Sequence, residues 1–337
     1  MDGSRVSGRV AIAAVVIGRN EGARLEHSLK SVQAAGLPLV YVDSGSSDAS
    51  VALAKSLKIA VVELDPARPF SAGRARNEGL EEAKQHWPDT RYIMFLDGDC
   101  VLDPGFPDAA TTALEAHPDC AIVTGHLSER HPERSVYNRL CAIEWRSPAG
   151  PIKNMNSLGG IMMVRVSAFR AVGGFDTKAI AGEEPDLGVR LGLAGYSILK
   201  IDAPMASHDA HILTFRQWWT RAVRGGHALA HRFARHGGTE FRDGRRELMS
   251  ALFWGLALPL AIVVLLWPSR GLSFLLLAGY GLLAARVYRN YRRAGLSEGD
   301  ARLMSRFILY SKFAEVVGFG RYLRNRMRND FRIIEYK

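Results

Sequence analysis

The sequence predicts an α/β domain with a mostly parallel central sheet, followed by a C-terminal pair of apolar helices and an amphipathic helix. Three observations predict it. From Val10 to about Asp99, short apolar runs alternate with helix-like stretches, the pattern of βαβ units. Polar clusters stand directly after the apolar runs, where ligands bind in open α/β sheets. Beyond about Leu248 the composition turns abruptly apolar, with arginines on either side.

The elements follow in order. "VAIAAVVI" from Val10, "LVYVD", "IAVVEL" and "RYIMFLD" read as strands buried on both faces, because they are continuous rather than alternating. Helices are expected around Glu26–Ala35, Ala49–Leu57 and Ala72–Gln85. Right-handed crossovers would place the ends of the strands on one edge. "GRNEG", "DSGSSD" and "DGD", after the first, second and fourth strands, should therefore converge on one crevice.

The chemistry available there is acidic. Asp97 and Asp99 end a buried strand, where isolated carboxylates lose hydration and repel each other. A hard divalent cation relieves both problems, since it prefers oxygen ligands. Asp103-Pro104 reads instead as a turn that caps and starts the next helix. Glu21 can accept hydrogen bonds from a nucleobase or ribose, or simply favour a helix N-terminus. Asp43 can take ribose hydroxyls or a base N–H, and the following "SGSSDAS" is equally a turn with Ser47 or Asp48 as helix cap. Arg74 and Arg76 in "SAGRARNEG" open a helix that should pass the crevice, where a guanidinium binds phosphate; an exposed helix face is the competing reading. Neither GxGxxG nor GxxxxGK[ST] is present, so no dinucleotide fingerprint or P-loop is supported.

Bulk properties narrow the class. The chain has 337 residues and a formal charge of +10, which favours anionic partners. Its three cysteines make no CxxC pair, so neither a disulfide framework nor a zinc signature is expected. The first apolar stretch is short and runs directly into "RNEG", unlike a signal peptide, so the catalytic part is expected in the cytoplasm. "LMSALFWGLALPLAIVVLLW" is long enough to cross a bilayer, and Pro259 should kink it. "LSFLLLAGYGLLAA" is short for a full span unless Arg286 snorkels. "RDGRR" before the pair and "RVYRNYRR" after it place both ends on the cytoplasmic side. "FILYSKFAEVVGFGRYLRNRMR" suits either the membrane interface or a helical bundle. Basic residues gather beside the apolar segments rather than along a groove, so nucleic acid is not expected as a partner. The expected division is 1–210 catalytic, 211–247 an amphipathic acceptor-side segment, 248–288 a membrane hairpin and 289–337 a basic C-terminal helical segment.

"VVIGRNEGARLEHSLKSV", "VDSGSSDAS", "GRARNEG" and "FLDGD" occur in an order that resembles the family 2 glycosyltransferases, and "SLGGIMMVRVSAFRAVGGFD" and "GEEPDLGVRLGLAGY" continue it to about Ala210. The resemblance implies a GT-A nucleotide-sugar domain and a metal-dependent, inverting enzyme of hexosyltransferase type. It implies that Glu21, Asp43, Arg74 and Asp97 bind the nucleotide. It also implies that Asp97 and Asp99 meet the diphosphate through Mn2+ or Mg2+; His208 of "MASHDAH" stands as a further metal ligand or as an ordinary loop histidine. The family usually has Glu-Asp where this chain has Glu183-Glu184; Glu184 is the expected base and Glu183 the other candidate. A helix N-terminus would lower its pKa and a neighbouring acid would raise it. Processive relatives carry QxxRW; here the order is Gln217-Trp218-Trp219-Thr220-Arg221, a departure that argues against processive polymerisation. Trp218, Trp219 and Arg221 then stand as contacts to the acceptor or diphosphate, or as a membrane-facing helix. The implied partners are a nucleotide-sugar donor, foremost a UDP-sugar, a lipid-linked or saccharide acceptor, and the cytoplasmic membrane, as in polysaccharide biosynthesis. The alternatives are a sugar-phosphate nucleotidylyltransferase, for which "GRNEG" is a poor nucleotide loop, and a non-catalytic membrane protein that binds anionic ligands.

Overall fold

A computed structural model describes residues 11–328. Val10 and residues 329–337, which the sequence reading assigned to the first strand and the C-terminal segment, lie outside the described residues. The chain divides into two compact units. Among the described residues, the first comprises 11–131, Trp145–Lys178 and Glu183–Ala210; the second comprises Pro132–Glu144, Ala179–Gly182 and 211–328.

The first unit holds a nine-stranded sheet: β1 Ile12–Gly18, β2 Leu39–Asp43, β3 Ala60–Glu63, β4 Tyr92–Asp97, β5 Cys100–Leu102, β6 Cys120–Glu129, β7 Gly150–Pro151, β8 Met162–Arg165 and β9 Ser197–His208. Their order is β3-β2-β1-β4-β8-β6-β9-β5, with β7 on β9. The first four strands pair in parallel through helices at Ala23–Ala34, Ser50–Ser56 and Ala72–His86, as the sequence predicts, but β3 stands at the sheet edge and is only half-buried rather than buried on both faces. The expectation of a mostly parallel sheet needs correction. β8 pairs antiparallel with both β4 and β6, and β5 and β7 pair antiparallel with β9, so the sheet is mixed. β6 and β9 are parallel, with register shifts. Core side chains come from β1, β2 and β4 against the helices Ala23–Ala34 and Phe106–Ala116, including Tyr41, Leu96, Leu25, Leu29 and Phe106. That last helix starts at Phe106 rather than at Pro104, because the Asp103 carboxylate accepts the Gly105 N–H and closes a turn ahead of it.

The second unit is helical. Phe215–His236 begins with a capping box, in which Thr214 accepts the Gln217 N–H and Gln217 reaches back. It meets the long helix Glu298–Arg328 at two glycines: a Cβ on Gly226 would lie 2.3 Å from the Glu315 carbonyl, and one on Gly318 2.2 Å from that of Val223. Backbones approach that closely only without side chains. Arg139 binds Asp300 through two 2.8 Å bonds and fixes helix Val136–Glu144 within this unit. Two helical stretches, Arg245–Leu265 and Leu272–Arg293, are long and apolar enough to cross a membrane. The second continues well past the apolar residues seen in the sequence. The first widens at Phe253–Ala257, just before Pro259, where a ring without an N–H interrupts regular bonding. Tyr280 donates to the Trp254 carbonyl and Ser273 to that of Ile262, tying the two stretches together. Their outer faces stay bare: Val263 is 68% exposed, Leu275 72% and Leu282 71%.

Candidate active site

The ends of β1, β2 and β4 carry the three polar clusters, and adjacent loops interlock. The Asn20 side chain, on a residue with φ of 55°, accepts the Ser47 N–H at 2.8 Å, while its backbone N–H donates to Ser46. Asp48 accepts from the Gly22 N–H and from the Ser50 N–H at the start of the second helix, whose N-cap is Ala49 rather than Ser47 or Asp48. Within this clasp Asp43 is buried and accepts from Tyr41 Oη, the Gly45 and Ser46 N–H groups and Ser46 Oγ, all at 2.6–2.9 Å. Four donors occupy both oxygens. Burial first, and then Asp43, drives the Tyr41 phenol pKa up, so Tyr41 stays a donor. Glu21 pairs with Arg24 at 2.8 Å, and its stem lies against the DGD turn: a Cβ on Gly98 would stand 3.1 Å from Glu21 Cγ. Gly98 is therefore the small residue that lets the first and fourth strand ends meet.

The centre of the site is a buried arginine. Arg76, 2% exposed, donates through Nη2 to Asp97 at 2.9 Å and through Nη1 to Glu183 at 3.2 Å and Glu184 at 3.1 Å. Phe175 lies under its guanidinium at 5.4 Å. Gly160, from "SLGGIMM", makes the room, since a Cβ there would sit 2.0 Å from Nη2. The "GGFD" stretch closes onto the same helix: Asn77 exchanges 2.9 Å bonds with the Phe175 backbone, and Ser71 reaches the Thr177 carbonyl at 3.0 Å. Arg74 is committed elsewhere, to Glu78 and to the carbonyls of Asp65 and Arg68. The arginine brought to the carboxylates is thus Arg76.

Glu183 and Glu184 open the helix Glu183–Leu193, with Pro185 in its first turn. At Glu184 burial and the neighbouring acid prevail over the helix terminus. Burial, followed by the charge of Glu183, pushes the Glu184 carboxyl up to about 7 despite the opposing pull of Arg76. For Arg76 itself, burial opposes the charge, but Asp97, Glu184 and Glu183 outweigh it and raise the pKa.

A second cluster adjoins the DGD turn. β5 lies beside β9 with Cys100 opposite His208, and the Asp99 carbonyl accepts the Asp209 N–H. Asp99 Oδ2 is 3.4 Å from His208 Nε2, and the Cys100 thiol is 3.4 Å from Asp99 Oδ1. One ligand atom from each of Asp99, Cys100 and His208 falls within 4.8 Å of the others. Trp145 stands edge-on to the His208 ring at 4.7 Å, and Glu129 Oε2 lies 3.7 Å from His208 Nδ1. Sequence reading singled out neither Trp145 nor Glu129, since only the β6–β9 register brings them here.

Trp218, Trp219 and Arg221 belong to the second unit. There Trp218 is buried, edge-on to Phe307 at 4.8 Å, Trp219 packs against Phe215, and Arg221 pairs with Glu144 at 2.9 Å.

Residues 13–173 match the model of glycosyl transferase family 2. A pre-mycofactocin glycosyltransferase of Mycobacterium tuberculosis is 27% identical over 238 residues, 67% of this chain and 48% of that protein, so the chain spans about half the length of that relative. An O-antigen chain rhamnosyltransferase of Salmonella anatum, WbaN, is 25% identical over 236 residues, 64% of this chain and 73% of that protein. Among solved structures, a mannosyltransferase of Pyrobaculum calidifontis in complex with GDP-Man and Mn2+ is similar in fold, with a TM-score of 0.58 and 16% identity over 95% of this chain and 89% of that one. The mixed sheet is that of a GT-A α/β fold. The family match spans the strands and loops that build the site, so residues 13–173 form a family 2 glycosyltransferase domain.

Proposed function

We propose that this protein transfers a sugar from a nucleoside diphosphate donor, a UDP-sugar foremost, to a lipid-linked or saccharide acceptor with inversion at the anomeric carbon. The observation that carries this reading is the Arg76 cluster, which joins Asp97 at the DGD turn to the raised carboxyl of Glu184 within one unit. In the transfer, the acceptor O–H bond breaks and its proton passes to Glu184. The acceptor oxygen forms a bond to the anomeric carbon, and the bond from that carbon to the diphosphate oxygen breaks. A carboxylate with a pKa near neutral suits this work, because it is ionised at working pH yet holds the proton it receives. Arg76 aims Glu184 and keeps three carboxylates together that would otherwise repel one another.

Asp99 and His208 offer an oxygen and an imidazole nitrogen 3.4 Å apart, a donor set that fits Mn2+. Mg2+ is the harder alternative. When bound, such an ion would stabilise the charge of the departing diphosphate. Glu21 and the clasp around Asp43 form the nucleoside side of the crevice. Asp43, already saturated, acts chiefly by holding the 44–46 loop in shape for the base or ribose.

The bare outer faces of Arg245–Leu265 and Leu272–Arg293 support anchoring in a membrane, with the basic ends of the pair and the catalytic unit on the cytoplasmic side. That arrangement suits an amphiphilic acceptor. The direct test is release of nucleoside diphosphate from a panel of UDP- and GDP-sugars by detergent-solubilised protein, with a membrane lipid extract as acceptor. Transfer that is lost in Glu184→Gln while donor binding persists supports the reading; full transfer by that variant rejects Glu184 as the base.

A further inference from the structure

His208 sits between two carboxylates, one facing each ring nitrogen. Asp99 Oδ2 lies 3.4 Å from Nε2, and Glu129 Oε2 lies 3.7 Å from Nδ1. The two acids differ in how firmly they are held. The Glu129 side chain is fully buried at the end of β6, in register with His208 on β9. Its Oε1 accepts the His131 N–H and its Oε2 accepts the Ala210 N–H, both at 3.1 Å. Those two bonds come from the segments that follow β6 and β9, so the carboxylate is fixed by the backbone on either side of the histidine. Trp145, edge-on at 4.7 Å, restricts the ring further.

A neutral imidazole carries one N–H, and the group facing each nitrogen decides which one. We infer that Glu129 is the positioning residue for His208: it holds the ring proton on Nδ1, so that Nε2 presents its lone pair beside Asp99 to a divalent cation. This inference rests on the metal reading proposed above and adds to it the residue that orients the histidine. Glu129 touches neither donor nor ion. It acts through His208, as carboxylates behind metal-binding histidines do. Nothing in the local sequence around "HLSERH" marks this role, because it depends on the pairing of β6 with β9.

The test has two arms. In the first, Mn2+ binding is measured calorimetrically with UDP present, in the full chain and in Glu129→Gln. Loss of the orienting carboxylate should weaken Mn2+ by about 10- to 100-fold. UDP binding in the presence of EDTA and the unfolding midpoint serve as controls and should change little. Mn2+ affinity within twofold of the original in a folded variant would overturn the inference. In the second arm, nitrogen NMR of the metal-free protein, with the His208 signals identified by their absence in His208→Ala, should find the proton on Nδ1. A proton on Nε2 would overturn the inference even if Glu129→Gln does not fold. Failure of the unaltered protein to bind Mn2+ at all would sink the metal reading instead, and the tautomer would still decide the part of Glu129.

Discussion

Glu184→Gln should stop sugar transfer and at the same time make the protein more stable above neutral pH. Glu184 opens a helix beside Glu183, and its carboxyl is raised from 4.5 to about 7 by burial and by that neighbour's charge. The gap corresponds to about 3 kcal/mol, at about 1.4 kcal/mol for each tenfold change in proton affinity. The sign follows from linkage. At pH 4 and below, the folded and unfolded chains both hold this proton, and the group is neutral in each. Between pH 4.5 and 7 the unfolded chain releases it and the folded chain does not, so stability falls as pH rises. Above 7 the folded protein carries a buried charge, and the loss levels off. Glutamine keeps an acceptor oxygen for Arg76 but has no such slope. Unfolding midpoints of both proteins, measured in detergent at pH 5 and pH 8.5, isolate the effect of the Arg76 cluster, because titrating groups remote from it cancel in the double difference. The variant should gain roughly 4 °C relative to the original between the two pH values. Parallel behaviour within 1 °C would refute the reasoning and leave Glu184 as an ordinary surface-like acid at the helix mouth.

Three further outcomes follow from the same structure. Arg76→Gln strands Asp97, Glu183 and Glu184 without their guanidinium and should cost about 3–5 kcal/mol, as breaking buried ion pairs does; an unchanged melting temperature would contradict this. Gly160→Ala should reproduce much of that defect while keeping the charge, since its methyl would occupy the place of Arg76 Nη2. The apolar pair of helices should carry the protein upward with vesicles in a density gradient, and deletion of residues 245–293 should leave it in the dense fraction; flotation of the deleted form would reject the pair as the anchor.

Much of the parallel half of the fold is legible in the sequence, because strands buried on both faces read as unbroken apolar runs between helices. The antiparallel half is less so. β8 is only four residues long, and β6 and β9 meet through shifted registers that no local pattern announces. The arginines show the same limit within a single helix. Arg74 and Arg76 both look suited to phosphate, yet residues two apart on a helix point in different directions. Both are buried, but Arg76 shares the stripe of Gly79, Leu80 and Ala83, with Gly79 pressed against Val15 and Val42, and it is the partners in three dimensions that separate the two arginines. Arg74 pairs with Glu78 one turn on. Asp43 was legible as a special carboxylate, but its saturation by the loop that follows is visible only in three dimensions. Glu184 lies where the sequence put it, at a helix start; the direction of its pKa depends on burial, which sequence does not report.

The central claim is that the crevice ending β1, β2 and β4 binds a nucleoside diphosphate through a divalent ion. Its most direct test is calorimetric titration of UDP and of GDP into the detergent-solubilised full chain, with Mn2+ and then with EDTA, repeated in Asp99→Asn. One of the two nucleotides should bind with Mn2+, weaken sharply in EDTA, and lose its metal dependence in Asp99→Asn. Folded protein that binds neither nucleotide in either condition would contradict the claim and leave the aspartates with a structural role alone.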